Sequence, residues 1–419
     1  MEVTNKIDFK DRLRTFQENS IKIRGDNKTS CPRKTPYYFN EDYKFNRLFV
    51  SSVLAAYVKS GLSVSSPVKC ADVLGACGAS GITWKKHLGD SVNVIINDKI
   101  EMACDLIKDN IQRNHLQITV SSKDPCIFLH ERGYNFVYLD CSNEASLYFD
   151  SAFRNIARNG IIVVTTKDDS SLHGGNPEVA LRKYSGRIVR CFYAPEMAIR
   201  LVIAAMARSA ISHNKSIEVL CSTVFKNTFT VAVLCTKSPQ VSSKCTENLR
   251  LLKHCMVCEE RLFYPASDGF PVDPKNIQLD CECSKNAPGK TAQELGPLWA
   301  GPIFNADFIQ EMLANKFGSD NVLKSTLSII LEEARCVSKE DDAIGGKRLK
   351  IILEPCPPFY YNLHKHHPKI PQQLKLNRVI DELRNKGFRA SKTHFDKLAV
   401  RTNAPLMYLF YIMKKGEES

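Results

Sequence analysis

Residues 71–81 read Ala-Asp-Val-Leu-Gly-Ala-Cys-Gly-Ala-Ser-Gly, an apolar strand that runs into a turn of small residues and then into a helix-like segment. Seventeen residues beyond Gly81, the stretch Val-Asn-Val-Ile-Ile-Asn-Asp at 92–98 gives a second apolar strand that ends on an acid, Asp98. A glycine turn lets backbone approach a ligand closely, because no Cβ stands in the way. An acid at the tip of the next strand can accept hydrogen bonds from both hydroxyls of a ribose, as in doubly wound nucleotide sites. No Lys follows the glycines, which excludes the phosphate loop G-x-x-x-x-G-K-[ST]. Gly75, Gly78 and Gly81 fall three apart and do not form G-x-G-x-x-G. The pattern suits a nucleoside cofactor without phosphates, of which S-adenosylmethionine is the common one.

Outward from this turn the chain alternates β-rich and helix-like runs. Strands are expected at 70–74, 92–97, 135–140, 161–166, 217–224 and 228–235, with helices at 101–114, 147–159 and 196–213. Strands separated by helices imply a mostly parallel sheet. Lys226 and Asn227 form a tight turn that makes the last two strands an antiparallel hairpin. The sheet of S-adenosylmethionine-dependent methyltransferases is mostly parallel and ends in such a hairpin. The expected fold is therefore α/β, a Rossmann-like S-adenosylmethionine methyltransferase domain, with a smaller α+β C-terminal domain that the paired cysteines at 255–258 and 281–283 mark as zinc-containing.

At 419 residues the chain exceeds one ordinary core. The expected divisions are a polar, mobile or loosely docked arm (1–35), the cofactor-binding domain (36–238), a cysteine-rich segment (239–302) and a basic C-terminal domain (303–419). In the last, helices are expected at 304–317, 322–335 and 374–387, and strands at 349–354 and 406–413. Apolar content of 43% and charged content of 25% are those of a globular protein. No apolar run is long enough to span a membrane, and the first thirty residues show no secretory h-region. No membrane partner and no secretion are expected. The net charge of +13 is concentrated late, with 12 Lys/Arg against 5 Asp/Glu in residues 363–419, and such a surface attracts polyanions.

Two constellations carry chemistry. The third strand ends in Asp140-Cys141-Ser142-Asn143, at the edge of the sheet where ligands of doubly wound folds sit. A carboxylate at Asp140 can accept hydrogen bonds from an exocyclic amine, stabilise the positive charge that develops as the nitrogen is methylated, and take up the proton. Cys141 offers a rival nucleophile reading, but nothing basic adjoins it and fifteen other cysteines dilute the signal. Asp168 adds an acid on the same rim. The aromatics and amides of Tyr37, Tyr38, Phe39 and Asn40, with Arg47 beyond, could cover a cofactor or stack on a base. The second constellation is Cys255-x-x-Cys258 and Cys281-x-Cys283, 22 residues apart, four thiolates suited to a structural zinc in a segment with little core of its own.

These residues resemble those of the tRNA guanine-26 N2-dimethyltransferases. The signature F-Y-N-P…F-N-R-D is similar to Tyr38-Phe39-Asn40-Glu41…Phe45-Asn46-Arg47-Leu48, and H-E-M-A-L-R to Pro195-Glu196-Met197-Ala198-Ile199-Arg200. The family's T-D-x-x-x-L-x-G…P-E resembles Lys167-Asp168…Leu172-His173-Gly174…Pro177-Glu178. G-P-x-W-x-G-P resembles residues 296–302, Y-Y-D-L-H resembles 360–364, and G-Y-R-A-S-R-T-H resembles 387–394. The matches run in order from about 37 to 405. Departures at Glu41, Leu48 and above all Cys141-Ser142-Asn143, where the family has D-P-F-G, point to an animal branch, the tRNA methyltransferase 1-like proteins. Members of that branch carry further N-terminal sequence.

The resemblance implies that Arg47, Gly75, Ala76, Gly78 and Asp98 hold S-adenosylmethionine, with Asp124 near the adenine. It implies Asp140 as the catalytic acid that binds the guanine edge, with Asp168 beside it, and Phe39, Asn40 and Asn143 as substrate contacts. Cys255, Cys258, Cys281 and Cys283 would bind zinc, and Arg389, Lys392, His394 and Arg401 would grip tRNA phosphates. The implied activity is methylation of guanine N2 at position 26 or its neighbour, giving N2-methyl- or N2,N2-dimethylguanosine, by a nuclear or nucleolar protein that is monomeric on its own. The alternative is a tRNA-binding paralogue without methyl transfer that serves as an RNA chaperone or partner subunit.

Overall fold

The computed structural model describes residues 9–28, 35–143, 145–265, 279–338, 356–366 and 376–415. The expected strand at 349–354 lies outside them.

The chain opens with a hairpin, β1 (Arg14–Glu18) and β2 (Ile21–Gly25). It then runs through α1 (Lys44–Ser60), β3 (Val68–Asp72), α2 (Ala79–Leu88), β4 (Val92–Asn97), α3 (Glu101–Arg113), β5 (Thr119–Ser121), α4 (Pro125–Glu131) and β6 (Phe136–Cys141). There follow α5 (Phe149–Asn155), β7 (Gly160–Thr166), α6 (Asp169–Leu172), α7 (Pro177–Tyr184), α8 (Ala194–Ser212), β8 (Lys215–Phe225) and β9 (Thr228–Lys237). One seven-stranded sheet has the order β5-β4-β3-β6-β7-β9-β8. Its first five strands are parallel, and β9 pairs antiparallel with both β7 and β8. Lys226 and Asn227 both take positive φ, 46° and 61°, the conformation that a two-residue hairpin turn requires. β7 is buried along its whole length, which explains its unbroken run of Ile161, Ile162, Val163 and Val164. From β3 the chain winds outward to β4 and β5, then returns to place β6 on the other side of β3. The carboxyl ends of β3 and β6 thus form the crevice where such sheets bind ligands.

Of the expected arm, residues 9–28 are not loose. Ile21 and Ile23 are buried, and the edge of β2 is closed by two asparagines one turn apart, Asn110 on α3 and Asn114 just past its end. Asn110 and Asn114 accept from Arg24 N and Lys22 N at 2.8 and 2.9 Å, and donate back to the carbonyls of the same residues at 3.0 and 2.8 Å. Two side-chain amides complete the ladder of an edge that would otherwise stand open. Sequence periodicity carries no sign of this contact.

The cysteine-rich segment is a second sheet, order β11-β10-β12, built from β10 (Leu249–Cys255), β11 (Arg261–Pro265) and β12 (Ala292–Trp299). Leu252, Leu295, Leu298 and Trp299 join the main core, as do the helices Ala306–Ala314 and Asn321–Arg335, so that core continues past residue 302. Residues from Tyr361 to Met413 gather a smaller core of their own. The expected strand at 406–413 is a helix, Leu406–Lys415. Its buried Leu406, Leu409, Ile412 and Met413 fall at helical spacing, and a short apolar run does not by itself separate the two periods.

Candidate functional site

A cavity of about 270 Å³ opens at the carboxyl ends of β3, β4, β6 and β7. The turn after β3 shapes one side of it. A Cβ on Gly75 would stand 2.4 Å from Ile96 Cγ2, so only glycine lets the turn lie this close to β4. Gly78 has φ +81°, a conformation natural to glycine, and caps α2. Ala76 N donates to Asp98 Oδ2 at 2.9 Å and Ile100 N to Asp98 Oδ1 at 3.0 Å, which fixes the acid at the tip of β4. A carboxylate has about four lone-pair sites, so Asp98 keeps capacity for two further donors.

Three carboxylates line the cavity, Asp72, Asp98 and Asp140, from the ends of three neighbouring strands. Burial raises the pKa of all three. Asp72 is pushed to about 7, because burial and the charges of Asp140 and Asp98 outweigh the hydrogen bond from Gly81 N at 3.0 Å. Asp98 is raised for the same first reason. Asp140 reaches about 6, since burial outweighs the Tyr138 hydroxyl, which donates to its Oδ2 at 3.1 Å, and the nearby Arg47 charge. The Asp140 side chain is exposed to the cavity, and the cavity opens to solvent, so water there limits how far burial can act. Among the described residues none of the three has an ion-pair partner.

Arg47 reaches the cavity from α1 but is largely committed already. Its Nε and Nη2 donate to Glu18 Oε1 and Oε2 at 2.7 and 2.5 Å, and its Nη1 to Asn40 O at 3.0 Å. The docked hairpin therefore supplies the counter-charge for a cavity residue. Phe39 stacks on Phe16 of that hairpin, 4.7 Å between centroids, and lies under the Arg47 guanidinium at 4.8 Å.

Of the expected site residues, Arg47, Gly75, Ala76, Asp98, Asp140, Phe39, Asn40 and Asn143 line this cavity. Asp124 does not. It caps α4, accepting from Cys126 N at 2.8 Å. Asp168 does not either. Its carboxylate is fully buried, caps α6 and accepts from Lys183 Nζ at 2.9 Å; the same ammonium donates to Asn143 O at 2.9 Å. Asp168 thus holds the loop that follows Asp140 and does not face a substrate. Tyr38, one of the aromatics expected to cover a cofactor or stack on a base, lines it too, and so do Asp72, Tyr43, Lys167 and Thr228, which were not singled out as site residues. Asp72 was legible, an acid at the end of the first strand. Thr228 comes from a distant part of the chain, and only the sheet brings it here.

Two of the expected phosphate-binding residues are interior. Arg401 is fully buried, with Nη2 2.6 Å from both Glu196 Oε2 and Glu333 Oε1. Arg200 donates through Nε to Glu196 Oε1 at 2.9 Å, and the buried His394 ring meets Glu333 Oε2 through Nδ1 at 2.7 Å. Arg200 also donates to the carbonyls of Trp299 and Gly301. Three of the quoted sequence stretches therefore meet in one buried network, where groups this deep have no access to a polyanion. Arg389 and Lys392 remain partly exposed.

The four expected cysteines come together. The sulfur atoms of Cys255, Cys258, Cys281 and Cys283 all lie within 4.8 Å of one another. A tetrahedral site with Zn–S of about 2.3 Å places its sulfurs about 3.8 Å apart, so the set fits a four-thiolate metal site with little adjustment. Among the described residues around it, only Leu279 and Ala292 join Cys255 as buried members of a local cluster, a small core beside the four thiolates.

A family model described as N2,N2-dimethylguanosine tRNA methyltransferase matches residues 17–414. A tRNA (guanine(27)-N(2))-dimethyltransferase of Macaca fascicularis is 34% identical over 92% of this chain and 65% of its own length. A protein of the same description from Mus musculus is 35% identical over 92% and 61%. This chain spans about three fifths of the length of these mammalian relatives. A tRNA (guanine(26)-N(2))-dimethyltransferase of Methanobrevibacter smithii is 26% identical over 96% of this chain and 97% of its own. The solved structure of Trm1 from Pyrococcus horikoshii with S-adenosyl-L-methionine superposes with a TM-score of 0.76 at 21% identity, covering 95% of this chain and 99% of that one. The shared fold thus extends over nearly the whole molecule. Among the described residues no helix is long and apolar enough to cross a membrane.

Proposed function

The chain belongs to the N2,N2-dimethylguanosine tRNA methyltransferase family, and from that premise we propose that it transfers methyl from S-adenosylmethionine to the exocyclic N2 of a guanine in tRNA, at position 26 or its neighbour 27. The observation that carries this reading is the convergence of Asp72, Asp98 and Asp140 on one cavity at the switch point of the sheet. When bound, S-adenosylmethionine supplies an electrophilic methyl group on a positively charged sulfur. Asp98, with two acceptor sites free, would take the ribose hydroxyls, and Asp72, half ionised at neutral pH with its pKa of about 7, would gain negative charge as a cationic ligand arrives. Asp140 accepts from the guanine N2–H. As N2 takes up the methyl group, positive charge grows on it, and a carboxylate held in place by Tyr138 stabilises that charge at no reorganisation cost. With its pKa raised to about 6, Asp140 is ionised at neutral pH and a stronger base than an ordinary carboxylate, suited to taking the proton that N2 releases.

A guanine inside a tRNA junction must leave its stack to reach such a cavity, at a cost of about a few kcal/mol. Contacts of basic residues such as Arg389 and Lys392 with tRNA phosphates would offset that cost. Cys255, Cys258, Cys281 and Cys283 would hold zinc in a closed, structural site that braces the segment joining the two halves. A nuclear or nucleolar monomer remains the expected setting, open to imaging and light scattering of the full-length protein.

The test is transfer of labelled methyl from S-adenosylmethionine to tRNA, with the product mapped by mass spectrometry. The wild-type protein should methylate a guanine at 26 or 27, Asp140→Ala should not, and Cys141→Ala should only weaken transfer. Cofactor binding without any transfer by the wild-type protein would overturn the reading in favour of a tRNA-binding role alone.

A further inference from the structure

Asp140 stands at the end of a row of buried hydroxyls. Its strand partner on β7 is Thr165, and the partner of Thr165 on β9 is Thr230, so the three side chains share one face of the sheet. Tyr138, two residues before Asp140, shares that face as well. Its hydroxyl donates to Asp140 Oδ2 at 3.1 Å and lies 3.4 Å from Thr165 Oγ1. Thr165 Oγ1 and Thr230 Oγ1 are 3.0 Å apart, and Asn46 Nδ2, from α1, donates to Thr230 Oγ1 at 3.2 Å. Tyr138, Thr165, Thr230 and Asn46 are all buried.

The two ends of the row fix its direction. An amide N–H only donates, so Thr230 accepts from Asn46; an ionised carboxylate only accepts, so Tyr138 gives its one hydrogen to Asp140. Thr165 then gives its hydrogen to Tyr138, and Thr230 gives its own to Thr165. The reverse order would leave the carboxylate without its donor and the Thr230 hydrogen without an acceptor. Every donor therefore points toward Asp140, and hydrogen bonds aligned head to tail strengthen one another.

We propose that Tyr138, Thr165, Thr230 and Asn46 form a one-way hydrogen-bond chain that holds the Asp140 carboxylate ionised and in one orientation for methyl transfer. Thr165, Thr230 and Asn46 are positioning residues, which act through Tyr138 and not on the base. The proposal rests on the methyltransferase reading above and adds what prepares its carboxylate. No bond forms or breaks along the chain. An amide closes its far end, so the proton that Asp140 takes from N2 leaves by the open cavity.

Other groups also act on Asp140. Arg47 from α1 lowers its pKa, while Asp140 raises those of Asp72 on β3 and of Tyr38 and Tyr43 in the covering segment. Asp98, Cys141 and Lys167 line the same cavity. The variants below leave all of these in place, so a change in the titration of Asp140 reports the chain.

The experiment measures single-turnover transfer by the full chain with S-adenosylmethionine and substrate tRNA, from about pH 5 to about pH 9. In the wild-type protein the rate should fall on the acid side as Asp140 is protonated. Tyr138→Phe removes the donor to the carboxylate, so the ionised form is less favoured and the pKa rises. The acid limb should move up by about one pH unit, the scale of one hydrogen bond to a charged group. Thr165→Val and Thr230→Val leave that donor but cut the chain behind it, and each should move the limb up by about 0.3 unit. Thr165→Ser restores the hydroxyl and should titrate as wild type. Calorimetric dissociation constants for S-adenosylmethionine should stay within about twofold of wild type throughout, which also shows that the variants fold. An acid limb that does not move in Tyr138→Phe would overturn the proposal. So would Thr165→Ser shifted as far as Thr165→Val, or a loss of rate equal at every pH. Failure of the underlying reading looks different, because the wild-type protein itself would then transfer nothing. Carbon NMR of labelled aspartate in the cofactor-free protein, assigned with Asp140→Asn, would still show whether the Asp140 titration moves in the same order.

Discussion

Two groups of acids set the interior of this molecule apart from its cavity. In the interior, Glu196 and Glu333 are fully buried, yet both have pKa values below the ordinary range. Burial alone would raise them, but Arg401 with Arg200 at Glu196, and Arg401 with His394 at Glu333, outweigh it and bring Glu333 to about 2. At the cavity, Asp72 is buried, Asp98 half-buried and Asp140 open to the cavity, and their pKa values go up. The difference is the partner. A buried carboxylate matched to guanidinium is part of the scaffold; one facing a cavity without a cation is set up for something that arrives later.

The largest effect expected from this contrast is structural. Arg401→Met leaves Glu196 and Glu333 buried without their shared counter-charge and should lower unfolding stability by about 3–5 kcal/mol in urea titrations. A loss below about 1 kcal/mol would show that the network is less closed than its 2.6 Å contacts imply. At the cavity the corresponding change is functional. Asp140→Ala should reduce methyl transfer by about 10²–10³-fold or more, with stability near wild type. A variant that unfolds instead would move Asp140 into the scaffold class.

The metal cluster belongs with the scaffold. Chelation, or Cys258→Ser, should remove one bound zinc per chain by elemental analysis and lower the melting temperature, while cofactor affinity persists. An unchanged melting curve on zinc loss would remove its bracing role. The pH responses of the two acid groups should run in opposite senses. Asp140 has a folded pKa of about 6, above the ordinary 3.8 of an aspartate, so the folded state binds more protons across that window and the ionised group disfavours folding above it. Asp140→Asn should therefore stabilise the protein at pH 7, by an amount that shrinks as the pH falls toward 4. Glu333, lowered from 4.5 to about 2, contributes stability present above pH 4.5 and lost as the pH falls through 2. A benefit from Asp140→Asn that grew on acidification would contradict the sign. The smallest change is expected on the exposed basic face: Arg389→Ala should reduce the salt dependence of tRNA binding by about one unit of slope and leave kcat alone.

Six of the seven strands of the sheet were readable to within two or three residues, because buried β7 and most of β9 carry apolar runs and the turn at Lys226 and Asn227 leaves the chain few alternatives; the three-residue edge strand β5 was not. The helix at Leu406–Lys415 was not, since eight apolar residues in a row satisfy both periods and packing decides between them. Asp98 and Asp140 were legible because a strand-end acid in a doubly wound fold has one place to be. Asp168 ends a strand in the same way, yet Lys183 draws its carboxylate inward.

Sequence by itself determined the glycine turn, the acids Asp98 and Asp140 at two strand tips, the spacing of the four cysteines and the hairpin turn at Lys226 and Asn227. All of these are local, set by a few adjacent residues and the geometry of one strand or turn. Only the tertiary structure decided which charges face inward. Arg401 and His394 read as basic residues in a basic tail until Glu196 and Glu333 are placed against them from other helices. Glu18 is part of a polar arm until it meets Arg47, and Tyr43 is one aromatic among several until β9 brings Thr228 to it. A charge is defined by its partner, and partners far apart in sequence are chosen by the fold.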